Sequence, residues 1–95
     1  MRYRIPEDVV SREVGGEAIL LNLATGTYFG LDGIGTEIWT VLAREGTAEA
    51  VTSSLLADYD VEEPRLRRDI DQFIQQLVHK GLLAAEPIHV GRDGP

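Results

Sequence analysis

The stretch Glu17–Trp39, EAILLNLATGTYFGLDGIGTEIW, determines most of the predicted fold. Its first part has the alternating apolar pattern and the turn residues of two strands, and its last part begins an amphipathic helix. The second strand, Thr27–Leu31, is apolar, uncharged and free of proline. Exposed sheet edges are normally protected by lysine, proline or a bulge. An unprotected edge therefore indicates that another chain pairs with this strand.

The predicted sheet has three short strands. A segment over Val9–Val14 precedes the strand Ala18–Leu23, and turn residues separate each strand from the next. Connections this short permit only antiparallel pairing, so we expect a meander. Because side chains alternate along a strand, Phe29 and Leu31 are expected to face the core, and Tyr28 the opposite side.

Three helices are predicted after the sheet. Asp32 caps the first, which ends at Gly46, and Thr47 caps the second. Asp60 is expected to cap the third, which ends at Gly81. The residues that these helices direct towards the core are Ile34, Ile38, Trp39 and Leu42, then Val51, Leu55 and Tyr59, then Leu66, Ile70, Phe73, Ile74, Leu77 and Val78. The predicted fold class is α+β, a winged helix-turn-helix-like domain with a three-stranded antiparallel sheet followed by three helices.

The third helix has an unusually broad apolar face. On a helical wheel this face covers about 140°, more than the roughly 100° that a surface helix turns towards its core. Burial in a small three-helix core is one explanation. The other is that one margin also lines a groove beside the open strand. We expect the margin of Ile74 and Val78, flanked by Arg67, to line that groove, and the margin of Leu66 and Phe73 to lie in the core.

The composition indicates one small globular domain. The chain has 95 residues, of which 43% are hydrophobic and 26% charged, and it contains no cysteine. Its net charge of -7 repels a phosphate backbone and argues against nucleic acid as a partner. Without a signal-peptide pattern or a membrane-spanning segment, we predict a cytoplasmic protein with no membrane partner. Residues 1–85 are expected to form the domain, and residues 86–95 a flexible tail.

Catalytic and cofactor motifs are weak throughout. Gly33-Ile34-Gly35 imitates a dinucleotide fingerprint, but its sixth position is Ile38 and no βαβ unit follows. The series from Asp58 to Glu62 resembles the start of a calcium loop, but Glu63 stands where that loop needs glycine. His79 and His89 have no partner ligands at metal-binding spacing. We therefore predict no enzymatic activity, no cofactor and no metal.

A family resemblance is carried by Leu20-Leu21-Asn22-Leu23, Thr25-Gly26, Tyr28, Leu31-Asp32, Ile38-Trp39, Arg68-Asp69-Ile70, Phe73, Leu77 and Gly81-Leu82-Leu83. In these residues the chain resembles the PqqD-like family, that of the pyrroloquinoline-quinone biosynthesis D protein. This family contains the recognition elements that bind the leader segment of ribosomally made, post-translationally modified precursor peptides. The resemblance spans about residues 9 to 83, nearly the whole domain.

The resemblance implies a non-catalytic adaptor. The leader would add as a strand to the third strand, lie against the third helix, and be presented to a separate leader peptidase or modifying enzyme such as a cyclase. The free-standing size favours the lasso-peptide type, and the alternative is the quinone-pathway chaperone. The residues expected to bind the leader are Thr27, Tyr28, Phe29, Gly30, Leu31, Arg67, Asp69, Ile70, Asp71, Ile74, Leu77 and Val78. Asp69 comes from the family pattern alone, and whether it faces the leader or braces the helix is open.

Two hypotheses from other classes remain. In a DNA-binding winged helix the third helix would enter the major groove, but the acidic charge and apolar helix face argue against this. An open strand edge can also pair with a second copy of the same chain, which would make the domain a dimerisation module.

Overall fold

The computed structural model describes residues 1–86, which form five strands and three helices. The elements are β1 (Arg2–Arg4), β2 (Val9–Val14), β3 (Glu17–Asn22), β4 (Tyr28–Gly30), α1 (Gly33–Glu45), α2 (Ala48–Asp58), α3 (Glu63–His79) and β5 (Ala84–Glu86). The predicted α+β class, with three antiparallel strands followed by three helices, is confirmed. The tail expected over residues 86–95 lies outside the described residues except for Glu86, the last residue of β5.

The three-stranded sheet has the order β2-β3-β4 and is antiparallel throughout. Along β3 the side chains of Ala18 and Leu20 are buried against the helices, whereas Ile19 is 52% exposed on the outer face. In β4 and just beyond, Leu31 is buried and Tyr28 is 74% exposed. The alternation predicted from sequence is therefore confirmed, and it fixes which face of the sheet meets the core.

The first two helices begin at the residues predicted to cap them. The Asp32 side chain accepts a 2.8 Å hydrogen bond from the Gly35 amide at the start of α1, and Thr47 does the same for α2. The cap predicted at Asp60 is wrong. Helix α3 begins at Glu63 after the N-cap residue Glu62, with no side-chain cap, so Asp60 precedes the helix. The proline near the N-terminus of α3 supplies the preset backbone angle there.

One hydrophobic core lies between the inner face of the sheet and the three helices. Its largest fully buried side chains are Leu20, Leu42, Val51, Ile70, Ile74, Leu77 and Leu82. Two side chains assigned to the core from their helical spacing are instead exposed. Ile34 is 51% exposed in the first turn of α1, and Tyr59 lies at the surface, where its hydroxyl donates to Glu37.

A second, two-stranded sheet joins the ends of the described chain. Strand β1 pairs antiparallel with β5, with Tyr3 opposite Ala85, and the Tyr3 amide donates to the Gly46 carbonyl over 2.7 Å. Gly46 has a left-handed φ of 77°, and a Cβ atom there would lie 3.0 Å from the Tyr3 carbonyl oxygen. The glycine therefore both ends α1 and lets β1 approach closely. No described helix is long and apolar enough to span a membrane.

Candidate functional site

The free edge of β4 presents the backbone groups of two residues. The Asn22 amide donates to the Thr27 carbonyl, and the Leu31 amide donates to the Ala18 carbonyl. In an antiparallel ladder both polar groups of every second residue point to the same neighbour. Residues 27, 29 and 31 therefore bond to β3, and the N–H and C=O groups of Tyr28 and Gly30 point away from the sheet.

The two outer strands of this sheet differ in their protection. Strand β2 has Arg12 and Glu13 along its length, and charged side chains of this kind discourage another strand from pairing. Strand β4, with the sequence Tyr-Phe-Gly, has no charged side chain and no proline. A Cβ atom at Gly30 would meet no heavy atom within 4 Å, so the outer face of the sheet is open at this residue.

The C-terminal end of helix α3 lies beside β4 and the turn that precedes it. The Lys80 Nζ atom lies 5.3 Å from the centre of the ring of Phe29, the middle residue of the strand, which is a cation–π distance. Beyond its end, a Cβ atom at Gly35 would lie 3.4 Å from the Phe73 ring. We call the space flanked by the β4 edge and these α3 side chains the β4–α3 groove.

A pocket of about 410 Å³ lies where α1 and α3 approach each other beyond the end of β4. It is lined by Asp32, Ile34, Gly35, Ile38, Leu55, Val61, Leu66, Asp69, Ile70 and Phe73. Most of these side chains are apolar, and two carboxylates, Asp32 and Asp69, lie among them. We call it the α1–α3 pocket, and its lining residue Asp32 comes two residues after the last residue of β4.

Two side chains of α3 that were expected to bind the leader are buried in the core instead. Ile74 and Leu77 have exposed fractions of 0%, so their side chains form part of the core. Ile70 is 1% exposed and contributes only to the base of the α1–α3 pocket. Phe73 and Leu66, expected in the core, are half-buried and line that pocket.

Two charged residues predicted in the groove belong to the opposite flank of α3. Arg67 pairs with Glu63 along the helix surface at 2.8 Å. Asp71 lies one turn further along the same side of the helix. Its carboxylate contributes to raising the pKa of Tyr3, which indicates that it lies near β1. The largest cause of that raised pKa is burial of the phenol, and Glu49 adds to it. Asp71 is therefore close enough to Tyr3 in β1 for its charge to act on the phenol.

The remaining predicted residues have different roles at the edge. Tyr28 and Gly30 supply the outward backbone groups, and Phe29 packs its half-buried ring against the core. Thr27 lies in the turn before β4, and its carbonyl bonds back to Asn22. Leu31 is 4% exposed and anchors the end of the strand in the core. Val78 is half-buried on α3, and Asp69 is exposed at the α1–α3 pocket.

Sequence reasoning missed several residues that line the groove or its pocket: Asp32, Ile34, Gly35, Val61, Leu66, Phe73 and Lys80. A signal existed for Leu66 and Phe73, because the helical wheel separates the two margins of the apolar face. The contact between Lys80 and Phe29 has no local sequence signal, because it depends on how α3 docks on the sheet.

The outer face of the sheet is also apolar. Val10, Ile19 and Tyr28 are 47%, 52% and 74% exposed, and Val10 and Ile19 line a shallow concavity of about 540 Å³ together with Ser11, Arg12 and Leu21. This face is on the side of the sheet away from the helices. It is continuous with the β4 edge through Tyr28.

The described residues offer few ionisable groups with unusual surroundings. Within residues 1–86 no group of three His, Cys, Asp or Glu side chains is placed to hold a metal ion. Besides Tyr3, Tyr59 has a raised pKa, because its hydroxyl is hydrogen-bonded to Glu37 at the protein surface. The β4–α3 groove offers backbone hydrogen bonds on one side and apolar side chains with a few charges on the other. Fold and site thus define a winged helix-like domain with an open strand edge suited to an extended peptide.

The family follows from comparison with known proteins. The family model described as coenzyme PQQ synthesis protein D (PqqD) matches residues 17–83, and the chain belongs to this family. No protein with a curated description matches the sequence. Among solved structures, the chain is similar to TbiB1 in complex with the TbiA(beta) leader peptide. The identity is 38% and the TM-score 0.83, and the match covers 90% of this chain and 99% of TbiB1.

A second solved structure has the same fold. It is lasso peptide synthetase B1 complexed with its leader peptide, with 21% identity and a TM-score of 0.81. The match covers 90% of this chain and 100% of the synthetase chain. The two similarities extend over nearly the whole described domain.

Proposed function

We propose that the protein is a non-catalytic adaptor that binds the leader segment of a ribosomal precursor peptide. The leader adds as a strand to the β4 edge, lies against α3, and is presented to a separate leader peptidase or modifying enzyme. The observation that carries this proposal is the outward direction of the polar groups of Tyr28 and Gly30 beside an apolar groove. The 38% identity to a protein solved with a leader peptide supports leader binding, and the fold shared with lasso peptide synthetase B1 favours the lasso-peptide type.

Strand addition accounts for only part of the expected affinity. Tyr28 and Gly30 offer two donors and two acceptors, and each backbone hydrogen bond contributes a net of about 0.5–1.5 kcal/mol. The ordering of a flexible leader opposes this gain. Apolar leader side chains that enter the α1–α3 pocket and pack on Phe73 supply the remainder, and they also select the leader.

The adaptor role follows from what the bound leader leaves free. A leader held in the β4–α3 groove keeps the rest of the precursor accessible to an enzyme. An enzyme that also binds the adaptor then encounters the precursor at a raised effective concentration. Ribosomal precursors are made in the cytoplasm, where we place the protein, and a chain without cysteine is compatible with that compartment.

A display library of leader segments from lasso-peptide precursors, including the TbiA(beta) leader, tests the proposal. We expect the protein to enrich a subset of these leaders with Kd between about 10 nM and 10 µM, as expected for an interface of small to standard size. Random duplex DNA, titrated in parallel, is expected not to bind at physiological salt, because the protein has a net charge of -7.

Variants at Gly30 provide the matched control. Gly30→Pro removes a donor from the free edge, whereas Gly30→Ala keeps it and adds a methyl group into open space. Enrichment by the alanine variant and not by the proline variant supports pairing at β4. Tight DNA binding with a steep salt dependence, and no enriched leader, would overturn the proposal in favour of a DNA-binding winged helix.

A further inference from the structure

The β4–α3 groove has opposite charges at its two ends. At one end lies Lys80, the only lysine in the sequence, with its ammonium over the ring of Phe29 in β4 and its neighbour Gly81 bonded to Asn22. Beyond the end of β4, the α1–α3 pocket has Asp32 and Asp69 in its lining. The part of the groove between these ends is formed by uncharged strand residues and the Phe73 ring.

The acidic end extends past the pocket itself. A neighbouring concavity shares Val61, Leu66 and Asp69 with it, and its lining adds Asp60, Glu62 and Arg65. Four carboxylates and one guanidinium thus surround this end, which gives it a net charge of −3. None of the ion pairs found within residues 1–86 involves Asp69.

Asp69 is the carboxylate best placed to recognise a ligand. Asp32 already accepts the Gly35 amide at the N-terminus of α1, and the positive end of that helix offsets part of its charge. Asp69 is exposed and projects from the middle of α3, where no helix end compensates its charge. A carboxylate beside apolar side chains interacts more strongly with a cation than one surrounded by water.

We propose, resting on the leader-binding function above, that the groove selects leaders with a defined order of charges. The selected leader has a lysine or arginine at the Asp69 end, an apolar stretch along β4, and an aspartate or glutamate at the Lys80 end. Antiparallel pairing is the more stable arrangement and is the one used throughout this sheet, so the cation is N-terminal to the carboxylate.

The spacing of the two charges follows from the geometry of α3. Asp69 and Lys80 are eleven residues apart near the two ends of the groove, which corresponds to about 16 Å along a helix at 1.5 Å per residue. An extended peptide rises about 3.3 Å per residue. The leader cation and carboxylate are therefore separated by about five residues.

A random library of 15-residue peptides displayed on phage tests this inference without knowledge of the natural leader. The wild-type protein is expected to enrich peptides with a cation about five residues before a carboxylate and apolar residues between them. Asp69→Lys is expected to remove the preference for the cation and to weaken wild-type-selected peptides about tenfold or more, since a favourable charge pair becomes a repulsive one. Peptides selected by Lys80→Glu are expected to have a cation at the position where wild-type-selected peptides have a carboxylate.

Asp71→Lys is the matched control. It changes the net charge of the protein by the same amount as Asp69→Lys, on the same helix, but near β1. It is expected to leave the selected charge order unchanged. Two outcomes would overturn the inference and leave leader binding intact. In the first, the enriched peptides bind through the β4 edge but have no charge order. In the second, Asp69→Lys and Lys80→Glu select the same charge order as the wild type. Enrichment that persists in Gly30→Pro overturns the proposed leader-binding mode itself.

Discussion

The Asn22 side chain donates a 2.8 Å hydrogen bond to the Gly81 carbonyl, which joins the turn before β4 to the end of α3. The same side chain accepts hydrogen bonds from the Ala24 and Thr25 amides, so one buried amide group organises the turn and holds the helix against it. The two elements that it connects are those that form the β4–α3 groove. Asn22 therefore ties the residue after Lys80 to the turn that leads into β4.

We expect Asn22→Ala to destabilise the protein by about 2–4 kcal/mol, because it leaves the Gly81 carbonyl and two turn amides without their partner. Urea unfolding measures the loss. Thr25→Ala is the control, since the Thr25 hydroxyl bonds only within the exposed turn, and it should cost about 0.5 kcal/mol or less. Equal losses in the two variants would show that the link to α3 contributes nothing to stability.

A second prediction concerns the free edge of β4. Gly30→Pro should fold with nearly wild-type stability, because residue 30 makes no ladder bond to β3, and it should weaken leader binding by about 1–3 kcal/mol. Gly30→Ala should bind as the wild type does. Thermal melts confirm folding, and calorimetric titration with an enriched leader measures affinity. Normal binding by a folded Gly30→Pro protein would place the pairing edge elsewhere.

The sequence contained enough information for the three strands of the larger sheet, the three helices and the unprotected edge of β4, because those depend on local patterns. Alternation over the segment before Asp32 gave the inner and outer faces, and capping residues gave the starts of α1 and α2. The helical wheel of α3 also separated two margins. It could not decide which margin meets β4, because that depends on contacts such as the one between Asn22 and Gly81, which are 59 residues apart.

The pairing of β1 with β5 was missed for a related reason. Each strand has only three residues, Arg-Tyr-Arg and Ala-Ala-Glu, and neither has the length or the apolar alternation that predicts a strand. The two strands lie at opposite ends of the described chain. This small sheet contains Tyr3, whose phenol is close enough to Asp71 on α3 for that carboxylate to act on its pKa.

A third prediction concerns pH. Burial, with the charges of Asp71 and Glu49, raises the pKa of the Tyr3 phenol above its usual value of 10.0. The folded state therefore holds this proton more tightly than the unfolded state does. The stability that the neutral phenol contributes is fully present below pH 10 and is lost as the pH rises through the higher pKa of the folded state.

Urea unfolding at several pH values from 8 to 11 tests this, with Tyr3→Phe compared to the wild type. Above pH 10 the free energy of unfolding of the wild type should fall relative to that of Tyr3→Phe. Below pH 10 the difference between the two proteins should be constant. Tyr28→Phe, at a 74% exposed position, is the control for loss of a tyrosine hydroxyl. A pH-independent difference between wild type and Tyr3→Phe would contradict the assignment to Tyr3.

The last prediction separates core from groove on α3. Ile74 has an exposed fraction of 0%, so Ile74→Ala should leave a cavity and destabilise the protein by about 2–5 kcal/mol. Phe73 is half-buried at the α1–α3 pocket, so Phe73→Ala should weaken leader binding by about 1–3 kcal/mol, as expected for a lost anchor contact, with a smaller cost in stability. Urea unfolding and titrations with an enriched leader measure both quantities. If a folded Phe73→Ala protein bound the leader with unchanged affinity, the leader would not contact the α1–α3 pocket, and only the β4 edge would bind it.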